Sequence, residues 1–115
     1  MNTFELRLHE KYFNLIKSGT KTIEMRLLDE KRKQYKLGDI LFFKKRPDET
    51  EIIKTKIINL HKAKSFDELY KNFNKIQLGY TEDETANPAD MQEFYSLEEQ
   101  QKYGVVGIEI ILIKE

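Results

Sequence analysis

The order of its short hydrophobic segments constrains the fold of this chain more than any other sequence feature. Five segments have the apolar alternation or β-branched composition of strands: residues 3–8, 20–27, 40–43, 51–60 and 105–113. Between them, helical segments begin near His9, Ser65, Asn87 and Ser96, where capping residues stand. Residues 74–87 are expected to be irregular.

This order of elements predicts an α+β fold. We expect a small, mixed, partly open β-barrel of about five to six strands, with short helices packed over its ends. A doubly wound parallel sheet would need a more regular alternation of strands and helices. With 115 residues, the chain is expected to form one domain, residues 1–115.

Composition limits the kinds of site that the chain can carry. It contains no cysteine, which removes disulfides, zinc-thiolate sites and cysteine nucleophiles, and which suits a reducing cytoplasm. The N-terminal residues lack the pattern of a secretion signal, and no apolar run approaches the ~20 residues that span a bilayer. We therefore expect a cytoplasmic protein without a membrane partner, and its moderate hydrophobicity makes a monomer the default.

Charge is distributed unevenly along the chain, although the net charge is zero. Residues 1–64 hold 16 Lys and Arg against 9 Asp and Glu, whereas residues 65–115 hold 4 against 11. Such a chain can present a basic face to phosphate groups while remaining neutral overall. The same blocks could equally be solvated faces, so the asymmetry permits RNA binding without establishing it.

A dense group of functional residue types begins where the first helix ends. Gly19 stands where a left-handed cap would stop the helix, and Lys21, Glu24 and Arg26 follow within seven positions. On a strand, Thr22, Glu24 and Arg26 face one way, opposite the apolar residues. A guanidinium beside a carboxylate suits a ligand with phosphate or carbonyl oxygens on one side and amines on the other. Strict alternation would place Lys21 on the opposite face, so its convergence with Glu24 requires a bulge or twist.

This GxKxxExR pattern, after a helix and opening a strand, resembles the signature of the ASCH family. The resemblance extends over nearly the whole chain, in the order of small prokaryotic stand-alone members. The further landmarks are Leu6-Arg7-Leu8, Lys36-Leu37-Gly38-Asp39-Ile40, Ser65-Phe66 and Tyr103-Gly104-Val105-Val106-Gly107-Ile108.

The resemblance implies a PUA-like barrel that handles RNA or a modified nucleoside or nucleotide. It also implies a ligand cleft, for which the candidate binding residues are Gly19, Lys21, Thr22, Glu24 and Arg26. Some small members are similar to amidohydrolases that deacetylate acetylated cytidine, and others are similar to ribonucleases.

The amidohydrolase branch uses a lysine, a threonine and a downstream glutamate. Lys21 matches the lysine, but Glu24 occupies the threonine position, which argues against acyl-threonine chemistry here. Glu82 and Glu84 are candidates for the downstream glutamate by rough position only.

Two uses of these residues follow. In a hydrolase, Lys21 and Glu24 would be catalytic: Glu24 would activate water, with a pKa raised by burial, and Lys21 would stabilise the oxyanion while Arg26 orients the substrate. Alternatively, Glu24 and Arg26 pair, and the cleft binds RNA or a nucleotide without reacting. A third possibility is a protein-interaction adaptor that docks through its acidic second half.

Other candidates are less specific. His9 and His61, the two histidines, show no ligand spacing, so we expect neither a metal site nor a cofactor. His9 could line the same cleft, but a helix-cap role is favoured. A basic hairpin tip, Lys44, Lys45 and Arg46, could contact a phosphate backbone or be a solvated end. Four tyrosines could stack on bases or pack against the barrel: Tyr12, Tyr80, Tyr95 and Tyr103.

Overall fold

The computed structural model describes residues 1–114, and in this range it shows five β-strands and four α-helices. The strands are β1 (Thr3–Leu8), β2 (Ile23–Leu27), β3 (Ile40–Lys45), β4 (Ile52–Ala63) and β5 (Val105–Leu112). The helices are α1 (Glu10–Lys17), α2 (Phe66–Tyr70), α3 (Lys75–Leu78) and α4 (Leu97–Tyr103), and two 3-10 helices span Arg32–Gln34 and Pro88–Glu93. No helix in the described range is long and apolar enough to cross a membrane.

The strands form one mixed sheet in the order β1-β3-β4-β5-β2. The pair β1 and β3 is parallel, and the other three pairs are antiparallel. Because β1 and β2 remain the two edges, the sheet is an open half-barrel rather than a closed one. The predicted α+β fold with a small, partly open barrel is confirmed.

Two hydrophobic cores lie on opposite faces of β2 and β5. Residues of β5 such as Val106 and Ile108 belong to the first core, together with residues from β1, α1 and β3. The apolar residues of β2 belong to the second core, where α2 and α3 cover them. Glu24 and Arg26 are register partners of Ile108 and Val106, so these two polar side chains face the interior of the half-barrel.

Local capping explains most of the helix boundaries. His9 caps α1 by accepting a hydrogen bond from the Lys11 N–H, and Ser96 forms a full capping box with Glu99 at the start of α4. At Ser65 only half of a capping box forms: the Ser65 hydroxyl accepts from the Glu68 N–H, but the Glu68 carboxylate accepts from the N–H of Lys64.

The prediction that residues 74–87 are irregular was wrong in part. Helix α3 begins after Asn74, which forms a capping box with Gln77, and it ends at Gly79 in the left-handed region (φ 105°). The Asn-x-x-Gln pattern followed by glycine was present in the sequence. A single four-residue turn is too short for the apolar periodicity that identified the longer helices.

Candidate functional site

A cleft of about 650 Å³ is lined by residues from both edge strands and from the helical segments that follow β4. Strand β1 contributes its last residues, β2 contributes its polar face, and α2, α3 and Pro88–Glu93 supply the other side. The lining mixes tyrosines, arginines and carboxylates with a few aliphatic residues. A concave surface of this size is large enough for a small ligand, and its lining is more charged than that of most small-ligand sites.

Three charged side chains, which we call the charged cluster (Lys21, Glu24 and Arg26), lie together in this cleft. Glu24 Oε2 accepts from Arg26 Nε at 3.0 Å and from Arg26 Nη2 at 2.8 Å. Its other oxygen, Oε1, lies 3.2 Å from Lys21 Nζ. Lys21 and Glu24 are each 5% exposed. The carboxylate is therefore fixed between two cations and nearly removed from water.

Lys21 reaches Glu24 because it precedes the strand instead of belonging to it. Gly19 takes a left-handed conformation (φ 82°), and the N–H groups of Thr20 and Lys21 both donate to the Leu15 carbonyl at 3.0 Å. The alternation of side chains starts only at Ile23. The convergence that strict alternation forbade thus comes from an irregular turn before β2, not from a bulge within it.

The C-terminal end of α3 holds the lysine in place. Lys21 Nζ donates to the Leu78 carbonyl at 3.0 Å and lies 5.6 Å from the centre of the Tyr12 ring. Gly79 is required at the next position for two reasons: its φ is positive, and a Cβ there would lie 2.9 Å from Lys21 Cδ.

Electrostatics keep the cluster ionised. Burial alone would raise the pKa of Glu24, but the charges and hydrogen bonds of Lys21 and Arg26 outweigh it and hold this pKa below its ordinary value of 4.5. Burial likewise opposes the charge of Arg26, yet Glu24 raises the pKa of the guanidinium. At neutral pH Glu24 and Arg26 are therefore both ionised.

Tyrosines form much of the cleft wall. Tyr12, Tyr70, Tyr80 and Tyr95 all line it. The Tyr80 hydroxyl lies 2.8 Å from the Tyr70 hydroxyl and donates to Asp90 Oδ2 at 2.8 Å. Burial, followed by these hydrogen bonds, raises the pKa of Tyr80 well above its usual value. This network ties α2, α3 and Pro88–Glu93 together on one side of the cleft.

Charged residues around the rest of the lining are mostly paired. Arg7 Nε donates to Glu49 at 2.7 Å, and Lys11 Nζ donates to Glu84 at 3.0 Å. Glu84 therefore lies in the cleft, as one of the two downstream glutamates considered from the sequence. Glu82 is not among the lining residues, and its main-chain carbonyl accepts from Lys75 Nζ.

The structure separates the five predicted binding residues into two groups. Lys21, Glu24 and Arg26 converge in the cleft, whereas Gly19 and Thr22 line a smaller groove of about 300 Å³ beside β5. Gly19 contributes through the backbone turn that delivers Lys21. The predicted contact of Thr22 with a ligand has no counterpart in the cleft lining.

The remaining sequence candidates also divide. His61 pairs with Glu109 at 2.7 Å, outside the cleft lining, whereas His9 lines it. Within residues 1–114 no group of three or more His, Asp or Glu side chains is arranged to hold a metal ion. Tyr103 packs against the second core, which is one of the two roles considered for it from the sequence.

At the basic tip, Lys44 and Lys45 each pair with a carboxylate, of Glu5 and Glu51, and only Arg46 lines the cleft.

Sequence reasoning missed several lining residues. Tyr70, Asp90 and Arg7 were not considered as site residues from the sequence, although all three line the cleft. Each lies on a different element, and no local pattern links them. Their common position depends on how α2 and Pro88–Glu93 pack against the sheet.

Comparison with known proteins agrees with this architecture. The crystal structure of hypothetical protein PH0355, a Pyrococcus protein, is similar with a TM-score of 0.80 and 35% identity over 96% of this chain and 99% of that chain. The solution structure of protein PF0455 from Pyrococcus furiosus is similar with a TM-score of 0.70 and 32% identity, over 98% of this chain and 99% of that chain. No curated protein matches.

The family model of the ASCH domain matches residues 6–114, a range that contains the charged cluster, all of β2 and the end of β1 that borders the cleft. The signature residues seen in the sequence are thus those that the fold assembles. The chain belongs to the ASCH domain family.

Proposed function

We propose that this protein is a binding module for RNA or its nucleotide components, and that the cleft with the charged cluster (Lys21, Glu24 and Arg26) is the recognition site. One observation carries the proposal: a fixed group of alternating charges lies in an open cleft whose walls include four tyrosines. Nucleobases offer a hydrogen-bonding edge and a π face, which suit these two features. The PUA-like fold of the family, often linked to RNA binding, supports the same proposal.

The hydrogen-bonding capacity left in the cluster fits a polar ligand edge. Arg26 places Nε and Nη2 on Glu24, so the hydrogens of Nη1 remain to donate, and its side chain is 18% exposed. Glu24 Oε1 faces a single described cation, Lys21. A base edge with both an acceptor and an amine can use these groups without any rearrangement of the cluster.

We favour binding over hydrolysis because of the state of Glu24. A general base that works near neutral pH needs a raised pKa, whereas the two cations lower the pKa of Glu24. The amidohydrolase and ribonuclease alternatives would thus rely on an already stabilised carboxylate. The hydrolase alternatives and the adaptor alternative stay predictions. A cytoplasmic location and a monomeric state stay predictions as well.

Arg26→Gln tests the proposal. Binding of the four ribonucleosides, their monophosphates and a short single-stranded RNA is measured by calorimetry, with Arg32→Gln as the matched control. Arg32 also pairs with a carboxylate, that of Asp29, and has a 14% exposed side chain, but it does not line the cleft.

We expect the wild type and Arg32→Gln to bind the same probes, and Arg26→Gln to lose at least tenfold in affinity, about the value of a charged hydrogen bond. Equal binding by both variants would contradict the proposal. Release of acetate from acetylated cytidine by the wild type, lost in Lys21→Ala, would instead put the hydrolase first.

A further inference from the structure

Most of the Lys and Arg side chains that line the cleft are already ion-paired with a carboxylate, but one is not. Five Lys and Arg side chains line it, and four are paired within the described part of the chain: Arg7 with Glu49, Lys11 with Glu84, and Lys21 and Arg26 with Glu24. Arg46 is the fifth, and among residues 1–114 it has no carboxylate partner. Its full charge is therefore available to a ligand.

Arg46 stands beside the end of β1, where other donors collect. The main-chain N–H of Arg46 donates to the Leu8 carbonyl at 2.9 Å. This bond places Arg46 next to His9, at the end of the parallel pair β1 and β3. His9 Nδ1 accepts from the Lys11 N–H, so in the neutral ring Nε2 carries the hydrogen and can donate. Arg7 uses only Nε on Glu49, so its two terminal nitrogens are also free to donate.

We call Arg7, His9 and Arg46 the arginine end of the cleft. Three carboxylates also line the cleft, and two of them already have partners: Glu84 pairs with Lys11 and Asp90 accepts from the Tyr80 hydroxyl, while Glu93 is the third. A dianionic group entering this cleft is repelled by these carboxylates and attracted to the arginine end, where planar guanidinium forks match phosphate oxygens.

We propose that the arginine end binds a phosphate group, so that the preferred ligand is a nucleotide unit, free or within RNA, and not an unphosphorylated nucleoside. The base then lies toward the charged cluster, and the phosphate lies toward Arg46. This inference rests on the proposed function, since it assumes that the cleft holds a nucleoside unit at all.

Calorimetry on paired probes tests it. Each of the four ribonucleosides is compared with its 5′- and 3′-monophosphates, on the wild type, Arg46→Gln and the control Lys31→Gln. Lys31 is exposed and does not line the cleft, so this control removes one positive charge without touching the site. Arg46 is itself exposed, and its side chain can be changed without disturbing either core.

In the wild type and in Lys31→Gln, we expect at least one monophosphate to bind about tenfold more tightly than its nucleoside. Arg46→Gln should reduce this preference, because it should weaken binding of the monophosphate more than binding of the nucleoside. With short single-stranded RNA as probe, the slope of log affinity against log salt should become shallower by about one in Arg46→Gln. The monophosphate and RNA arms distinguish a free nucleotide from a strand phosphate.

Two results would overturn the inference while leaving the proposed function intact: nucleosides binding as tightly as their monophosphates, or Arg46→Gln keeping both the preference and the salt slope. A wild type that binds none of the probes would remove the proposed function, and the phosphate site with it.

Discussion

Replacing Glu24 by glutamine tests the electrostatic description of the cleft directly. The substitution keeps the shape of the side chain and removes its charge, so Lys21 and Arg26 remain buried without their counter-ion. Lys21 is 5% exposed and Arg26 has an 18% exposed side chain, so water can restore little of the lost interaction. Breaking a buried pair in this way costs about 3–5 kcal/mol.

Urea unfolding can resolve a loss of this size. With a slope of about 1.5 kcal/mol per molar urea for a small domain, the midpoint should fall by about 2–3 M. Six tyrosines and no tryptophan make tyrosine fluorescence and far-UV circular dichroism the appropriate signals. Glu109→Gln is the matched control, because Glu109 lies opposite Ile23 on the adjacent strand and its pair with His61 is partly exposed. That change should cost less than about 1 kcal/mol.

The pH dependence of the difference in unfolding free energy between wild type and Glu24→Gln shows whether the pKa of Glu24 is lowered or raised. The folded-state pKa of Glu24 is lowered from 4.5, so the stability that its charge contributes is fully present above about pH 5. It is lost as the pH falls below 4.5 toward the folded-state pKa. The carboxylates that both proteins share contribute equally to the two stabilities, so their contributions cancel in the difference. The difference in unfolding free energy between wild type and Glu24→Gln should therefore be constant from pH 8 to about pH 5 and become smaller only below that pH.

A different pH profile would refute this reasoning. If wild type instead gains stability relative to Glu24→Gln as the pH falls from about 7 toward 4.5, the pKa of Glu24 is raised in the folded protein, and the residue is suited to general-base chemistry. If Glu24→Gln is no more destabilising than Glu109→Gln, the cluster is not a strong ionic contact.

Two other predictions use matched pairs. Gly79→Ala should be more destabilising than Gly38→Ala by about 1 kcal/mol or more. Both glycines have a positive φ (105° and 92°), but of the two only residue 79 would have a crowded Cβ. Thermal unfolding of the two variants checks this prediction, and equal melting temperatures would contradict it. Phe94→Ala should weaken binding of single-stranded RNA about tenfold, as the loss of one stacking ring does, whereas Leu97→Ala should leave it unchanged. Both side chains are about equally exposed, at 56% and 57%, but only Phe94 lines the cleft, and an equal effect in a binding titration would remove it from the site.

Local patterns predicted the parts of the fold that depend on neighbouring residues. The alternation in residues 3–8 and the caps at His9 and Ser96 place β1, α1 and α4 where the structure has them. The parallel pairing of β1 with β3 was not predicted, because register between distant strands is set by the whole sheet. Helix α3 was missed because one turn gives too short a periodic signal.

The candidate site shows the same division. The residue types of the charged cluster follow from one strand and the turn before it, so the sequence could identify them. The position of Lys21 depends on the carbonyl of Leu78, 57 residues away, and on the absence of a side chain at Gly79. The tyrosine wall depends on the packing of α2 against the second core. No local pattern carries such contacts.

The way in which Lys21 is held supports the proposal that the charged cluster serves recognition and not stability. Buried ion pairs are a poor source of stability, because apolar residues of similar volume often stabilise a fold as much or more. Here the chain also keeps a left-handed glycine at Gly79, whose missing side chain leaves room for Lys21, and directs the Leu78 carbonyl at the ammonium group. These features fix the position of one charge in an open cleft. Charges that are held rigidly before a ligand arrives need no reorganisation when it binds, which accounts for an arrangement that burial alone would disfavour.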